Sequence, residues 1–138
     1  MSQDNVDLAL ALTDAFNRRD WDGFLALSDD DIDAGSRLVA MEGAYHGHEG
    51  LRRWWDNLLG AFPDYTIEVE ELRDLGDVTL AHLRGWGHGA GSATPLIDPF
   101  WQPLKWRDGK CLWWRHYSTE QEALEALGLR NQGPLEED

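Results

Sequence analysis

Between Val78 and His88 the chain alternates by bulk and charge. Leu80, His82, Arg84, Trp86 and His88 occupy one parity, and Thr79, Ala81, Leu83, Gly85 and Gly87 the other. A β-strand sends successive side chains to opposite faces, so this run predicts a strand with one imidazole, guanidinium and indole surface. Turned inward, that surface is the wall of a polar pocket; turned outward, it is a subunit contact. We read it as inward-facing.

Around this strand the pattern changes once. Val6, Ala9, Leu10, Leu12, Thr13 and Phe16 recur at helical spacing, and Asp20 is placed to cap a second short helix through Trp21, Phe24, Leu25 and Leu27. The acids Asp29, Asp30 and Asp31 read as a turn before an extended stretch, Ile32 to Ala40. Gly47 and His48 open a third helix, whose stripe is Leu51, Trp54, Trp55, Leu58, Leu59 and Phe62 and whose stop is Pro63. From Tyr65 to Ser118 the periodicity is that of strands, with Gly76-Asp77 and Asp108-Gly109-Lys110 as turns. Glu120 to Leu127 closes as a helix ended by Gly128. Helices followed by consecutive antiparallel strands predict one α+β domain over residues 1–130, with 131–138 as a flexible acidic tail.

Charge and composition exclude several functions. A formal charge of −14 over 138 residues opposes binding to nucleic acid or to anionic membranes, both of which select Lys and Arg. Cys111 is the single cysteine, so neither an internal disulfide nor a cysteine-based zinc site can form. There is no His-Glu-x-x-His pattern, and we expect no metal and no cofactor. The polar, acidic start and the absence of a long apolar run predict a cytoplasmic protein. Eight tryptophans suit a deep core or an aromatic-lined cavity.

The motifs Tyr45-x-Gly47-x-Glu49-Gly50-Leu51-Arg52-x-Trp54, Gly76-Asp77, Asp108-Gly109-Lys110, and Tyr117 with Ala123-Leu124-x-x-Leu127-Gly128-Leu129 carry a resemblance. In this order and spacing, from Val6 to Leu129, the chain resembles the SnoaL-like group of the nuclear-transport-factor-2-like (cystatin-like cone) superfamily. The resemblance implies a cone-shaped, strongly curved antiparallel sheet wrapped around N-terminal helices and enclosing a pocket. It also implies a homodimer through the outer sheet face. The superfamily includes polyketide cyclases, ketosteroid isomerases, limonene-epoxide hydrolases, scytalone dehydratases and non-catalytic members, so the fold leaves the chemistry open.

Set against those relatives, His116 is the foremost candidate. It stands seven residues beyond Gly109, where the cyclases and epoxide hydrolases carry an acid/base aspartate. A histidine there still exchanges protons near neutral pH; the plain alternative is a core histidine bonded to a backbone carbonyl. His82 and Arg84 stand where an epoxide-hydrolase-like site places an arginine and an aspartate. Arg84 would clamp an anionic oxygen, or else merely neutralise Glu68 or Glu70. Asp33 lies near the position of the isomerases' proton-shuttling aspartate, with a solvated loop acid as the alternative. The first helix has no tyrosine, and counting back from Gly109 puts Trp101 in the isomerases' aspartic-acid position, so their oxyanion hole is absent. Tyr45 is a possible partner of His82 and His116 in a dehydratase-like arrangement. Trp55, Trp86, Trp101 and Trp114 are candidate pocket wall, and Trp113, of opposite parity to His116, is a candidate outer-face contact.

Two readings follow. One is a cofactor-independent enzyme moving a proton on a small, apolar, oxygenated molecule: an isomerase, cyclase, dehydratase or epoxide hydrolase. The other is a non-catalytic small-molecule-binding or dimeric accessory protein of the same fold. The histidines favour the first, and the missing carboxylates favour the second.

Overall fold

The computed structural model describes residues 2–35 and 45–129. Helices α1 (Ser2–Asn17) and α2 (Trp21–Ala26) precede strands β1 (Ser28–Ala34) and β2 (Tyr45–His46); α3 (Gly47–Ala61) follows. Then come β3 (Thr66–Asp74), β4 (Val78–His88), β5 (Pro95–Arg107), β6 (Lys110–Trp114) and α4 (Glu120–Ala126). The strands form one curved, open sheet in the order β2-β1-β6-β5-β4-β3. The α+β class is as expected. The sheet is not wholly antiparallel, because β1 runs parallel to β6 while the other pairs are antiparallel.

Local signals explain most element ends. The Asp20 carboxylate accepts the Gly23 N–H at 3.0 Å and starts α2. Thr119 and Glu122 form a reciprocal capping box on α4; such a cap contributes about 1 kcal/mol. Asp108 and Gly109 take φ of +53° and +80°, as the two-residue turn joining β5 to β6 requires. Three details differ from the periodicity. Leu10 is exposed, and the inward stripe of α1 is Ala9, Leu12, Ala15 and Phe16. Asp29, Asp30 and Asp31 lie within β1, whose register shifts between Ser28 and Asp33. The last strand ends at Trp114, with Tyr117 reaching Trp101 only as an isolated bridge. Residues 36–40 of the expected extended stretch and the tail 131–138 lie outside the described residues.

Helices α1, α2 and α3 pack on one face of the sheet. Trp54 and Trp55, adjacent on α3, are both buried and share Phe16 and Phe24 as neighbours. Trp54 lies stacked near Phe24 and T-shaped against Trp114 at 4.9 Å; Trp55 packs among Phe16, Trp21 and Phe24. Among the described residues, the other face of the sheet is covered at one end, where α4 sets Ala123 and Leu124 over Leu80.

These contacts decide how β4 faces, and the inward reading is overturned. Ala81 and Leu83 belong to the core under the helices, and Thr79 is buried with its hydroxyl accepting the Trp106 indole N–H at 2.9 Å. His82, Arg84, Trp86 and His88 therefore point to the outer side. The reason lies at Gly85, where a Cβ would overlap Oη and Cζ of Tyr65, and at Gly87, where it would come 3.0 Å from the Tyr65 Cα. Tyr65 lies flat on the inner face of β4, and only glycine leaves room for it. The small residues are inward because the space above them is already filled.

Candidate functional site

On β5 the inward parity runs Leu96, Asp98, Phe100, Gln102, Leu104 and Trp106; Asp98 stands opposite Gly85, Phe100 opposite Leu83 and Gln102 opposite Ala81. On the next strand an extra residue, Leu112, breaks the register between Lys105 and Trp106, so that both Cys111 and Trp114 turn inward. Beyond Trp114 the chain crosses back to Trp101 through Tyr117. This places His116 beside Gln102 on the inner face.

There the imidazole is held on three sides. Its centroid is 4.2 Å from that of Phe100 and 4.9 Å from that of Trp114, the latter ring inclined by 23°. In the ring plane its Nε2 is 3.1 Å from the amide Nε2 of Gln102. A carboxamide carries a donor and an acceptor side by side, so Gln102 can pair with this ring nitrogen whichever tautomer the imidazole adopts. Behind it, Trp114 and Trp54 are almost wholly buried, and their indole N–H groups find no acceptor among the described residues. Tyr45 is also inward and buried. It stands opposite Ala34, which stands opposite Trp114, two strand spacings or about 10 Å along the same row. The Asn57 amide donates to its hydroxyl at 3.3 Å. The arrangement offers a half-buried imidazole, a carboxamide and flat apolar walls, a set suited to proton handling beside an apolar group.

The remaining candidates do not converge on His116. His82 is stacked on Trp101 at 4.2 Å on the outer face, so neither ring forms the inner wall. Trp101 lies one residue out of phase with the inward row, which removes it from any aspartic-acid position there. The inward acid of that strand is Asp98, which the sequence reading missed. Arg84 points outward to Glu70, its Nε 3.5 Å from a carboxylate oxygen, which is the neutralising role weighed above. Asp33 is outward as well, its carboxylate 2.9 Å from Nδ1 of His46. Trp86 is exposed on the outer face, and Trp55 is enclosed by α1 and α2 residues rather than by the His116 surroundings. Trp113 is outward, with Lys105 Nζ 4.5 Å and the Arg115 guanidinium 5.0 Å from its ring centre. Gln102, the other residue missed, could have been found from the period-two pattern of residues 96–106 once Leu104 and Trp106 were assigned inward.

Two hydrogen bonds from His88, one from its ring and one from its backbone N–H, hold the Asp64 carboxylate below the ordinary aspartate range. Burial pushes the Cys111 thiol up to about 12, which makes it inert as a nucleophile. Among the described residues no three His, Cys, Asp or Glu side chains converge as metal ligands. No described helix is long and apolar enough to cross a membrane.

With this geometry in hand, residues 9–116 match the model of the SnoaL-like domain. The chain belongs to the SnoaL-like family. Solved structures with the same fold include one classed as a SnoaL-like polyketide cyclase from Jannaschia sp. CCS1, at TM-score 0.73 and 19% identity over 96% of this chain and 94% of that one. Another is a nuclear-transport-factor-2-like protein from Burkholderia pseudomallei, at TM-score 0.75 and 15% identity over 93% and 98%. A third is a protein with a ketosteroid-isomerase-like fold from Catenulispora acidiphila in complex with trimethylamine, at TM-score 0.72 and 17% identity over 88% and 92%. No curated protein matches this SnoaL-like chain in sequence. At these identities the neighbours establish the fold, and the chemistry must be argued from the chain's own residues.

Proposed function

We propose that this SnoaL-like chain is a cofactor-independent enzyme that moves a proton on a small, apolar, oxygenated molecule, with His116 as the proton-handling group. One observation carries the reading: the His116 imidazole lies on the inner face between Phe100 and Trp114, hydrogen-bonded to Gln102. The two flanking rings and the carboxamide fix the plane of the imidazole, as a positioned acid or base requires. Isomerisation, aldol-type cyclisation and dehydration all begin by moving a proton next to an oxygenated carbon, and epoxide opening needs a proton moved to or from oxygen. The test is exchange of the α-protons of 1-tetralone for deuterium, followed by NMR. Wild-type protein should accelerate exchange, and His116→Ala should lower the acceleration by at least ~100-fold, the usual worth of a positioned acid or base. Tetralone binding without exchange, or exchange unaffected by His116→Ala, would favour the non-catalytic binding protein instead.

We also propose a homodimer through the outer sheet face. Trp86 and Ile97 stand directly opposite each other across β4 and β5 and are 41% and 63% exposed, with Pro99 opposite Arg84 beside them. An exposed aromatic and a β-branched side chain, ringed by ion-paired charges, make an apolar centre with a polar rim.

A further inference from the structure

We propose that the Asp64–His88 pair at the end of β4 is a second reactive site, in which His88 Nε2 accepts the acyl group of a small activated ester. This activity is separate from the one assigned to His116. The Asp64 carboxylate takes two N–H groups of one residue: Oδ1 accepts the His88 backbone N–H at 2.7 Å, and Oδ2 stands 2.8 Å from the ring Nδ1. Both bonds keep Asp64 ionised at neutral pH. An ionised carboxylate only accepts, so Nδ1 carries the ring proton and Nε2 the lone pair. The surroundings hold this arrangement in place. Gly87 leaves room for the carboxylate, because a Cβ there would come 2.9 Å from Asp64 Oδ1. The Arg19 guanidinium donates to the carbonyls on both sides of Asp64, Pro63 at 3.0 Å and Tyr65 at 2.7 Å. Beyond His88, the Ala90 N–H ties the loop to the Ala61 carbonyl of α3 at 2.8 Å. No described residue bonds His88 Nε2.

His88 and Asp64 line an open cleft of about 210 Å³ together with Pro63 and the loop 89–92. That volume takes a short acyl group and is too small for a drug-sized ligand. A carboxylate that fixes one ring nitrogen aims the other as a nucleophile. The Nε2 lone pair attacks the ester carbonyl carbon, the C–O bond breaks, and the phenolate leaves with the bonding electrons. The acylated ring is then a cation, which keeps its Nδ1 proton against the negative Asp64. Water adds to the acyl carbon, the C–N bond electrons return to Nε2, and the protons of that water pass to solvent. The ring ends neutral, as it began. His46 provides the contrast. Its Nδ1 stands 2.9 Å from Asp33, but it is held by the ring alone, and its side chain is 66% exposed against 39% for His88.

The full chain at neutral pH is mixed with p-nitrophenyl acetate, and nitrophenolate release is followed. Wild-type protein should release it at least ~10-fold faster than His88→Gln, a floor set below the usual worth of a positioned base because the pair is partly exposed. Asp64→Asn keeps the shape and removes the charge, and should slow release by about fivefold, the worth of one hydrogen bond. His46→Gln should keep the wild-type rate. A second measurement needs no variant and so decides even where one fails to fold. Diethyl pyrocarbonate acylates neutral imidazole, and peptide mass spectrometry should find His88 of wild-type protein modified at least ~10-fold faster than His46. Equal modification of the two histidines overturns the proposal, as does an unchanged rate of ester cleavage in His88→Gln. A rate lost in His46→Gln instead places the acyl acceptor on the open pair and overturns it as well.

Discussion

The two faces of the sheet carry similar residue types and treat them differently. On the inner face His116 meets Phe100, Trp114 and Gln102, so its ring plane and its in-plane partner are both fixed. On the outer face His82 meets Trp101 flat on, Arg84 meets Glu70, His46 meets Asp33, and the charged groups stay largely in solvent. Exposed ion pairs of that kind contribute little, about 0–1 kcal/mol each. A polar residue on the outer face therefore costs nothing to keep, whereas on the inner face it must be hydrogen-bonded to be tolerated. The number of ionisable groups on a face is thus a poor guide to chemistry, and how tightly one of them is held is a better one.

The assignment of faces can be broken most forcefully at Gly85. An alanine Cβ there would overlap Oη and Cζ of Tyr65, so Gly85→Ala should destabilise the protein by about 3 kcal/mol, at the upper end of ordinary overpacking. Tyr65→Leu removes those two atoms, and in that background Gly85→Ala should cost much less. Chemical denaturation of the four proteins gives the coupling. If Gly85→Ala is neutral, Tyr65 does not fill the inner face of β4 and the inward row is misassigned.

A smaller effect is expected from charge placed on the opposite face. Ile97→Glu and Trp86→Glu should leave the stability of the folded subunit within roughly 0.5 kcal/mol, as for exposed positions elsewhere. In the proposed dimer the same substitutions place two like charges in one apolar patch, and sedimentation should show association weakened by at least ~10-fold, a penalty of about 1.4 kcal/mol. A monomeric wild-type protein at high concentration would remove the dimer while leaving the face assignment intact. Unfolding by Trp86→Glu would count against both.

How much was legible beforehand follows from the same contrast. Helix starts at Asp20, the turn at Asp108-Gly109, the end of α3 before Pro63 and the parity of β4 are local properties, and the sequence states them. The facing of β4 is not local. It depends on Tyr65, thirteen residues before Val78, lying over Gly85 and Gly87. Bulk on one parity suggests the interior, but glycine at alternate positions is the stronger signal of something packed close. His116 and Trp114 were placed on one parity, and the structure has them stacked on the inner side. Asp98 and Gln102 belong to the inward row of β5, which register with β4 reveals and spacing from glycine anchors does not. Asp33 shows the same limit: one residue from buried Ala34, it points the other way.

The smallest test concerns the end of β4, where outer and inner faces meet. Asp64 accepts the His88 backbone N–H at 2.7 Å and stands 2.8 Å from His88 Nδ1, tying the β3 entry to the end of β4. These bonds favour the carboxylate in the folded state and lower its pKa from the ordinary 3.8. A carboxylate depressed in this way binds its proton more readily in the unfolded chain. Its contribution is therefore fully present above the unfolded value and disappears as pH falls through the lower folded value. Asp64→Asn should weaken the protein slightly at neutral pH and flatten the decline of stability below about pH 4. Melting temperatures of the two proteins across the acid range measure this as a difference that narrows as pH falls. A difference that stays constant or widens toward acid would mean that Asp64 acts through packing, and that the seam between the two faces is not held by its charge.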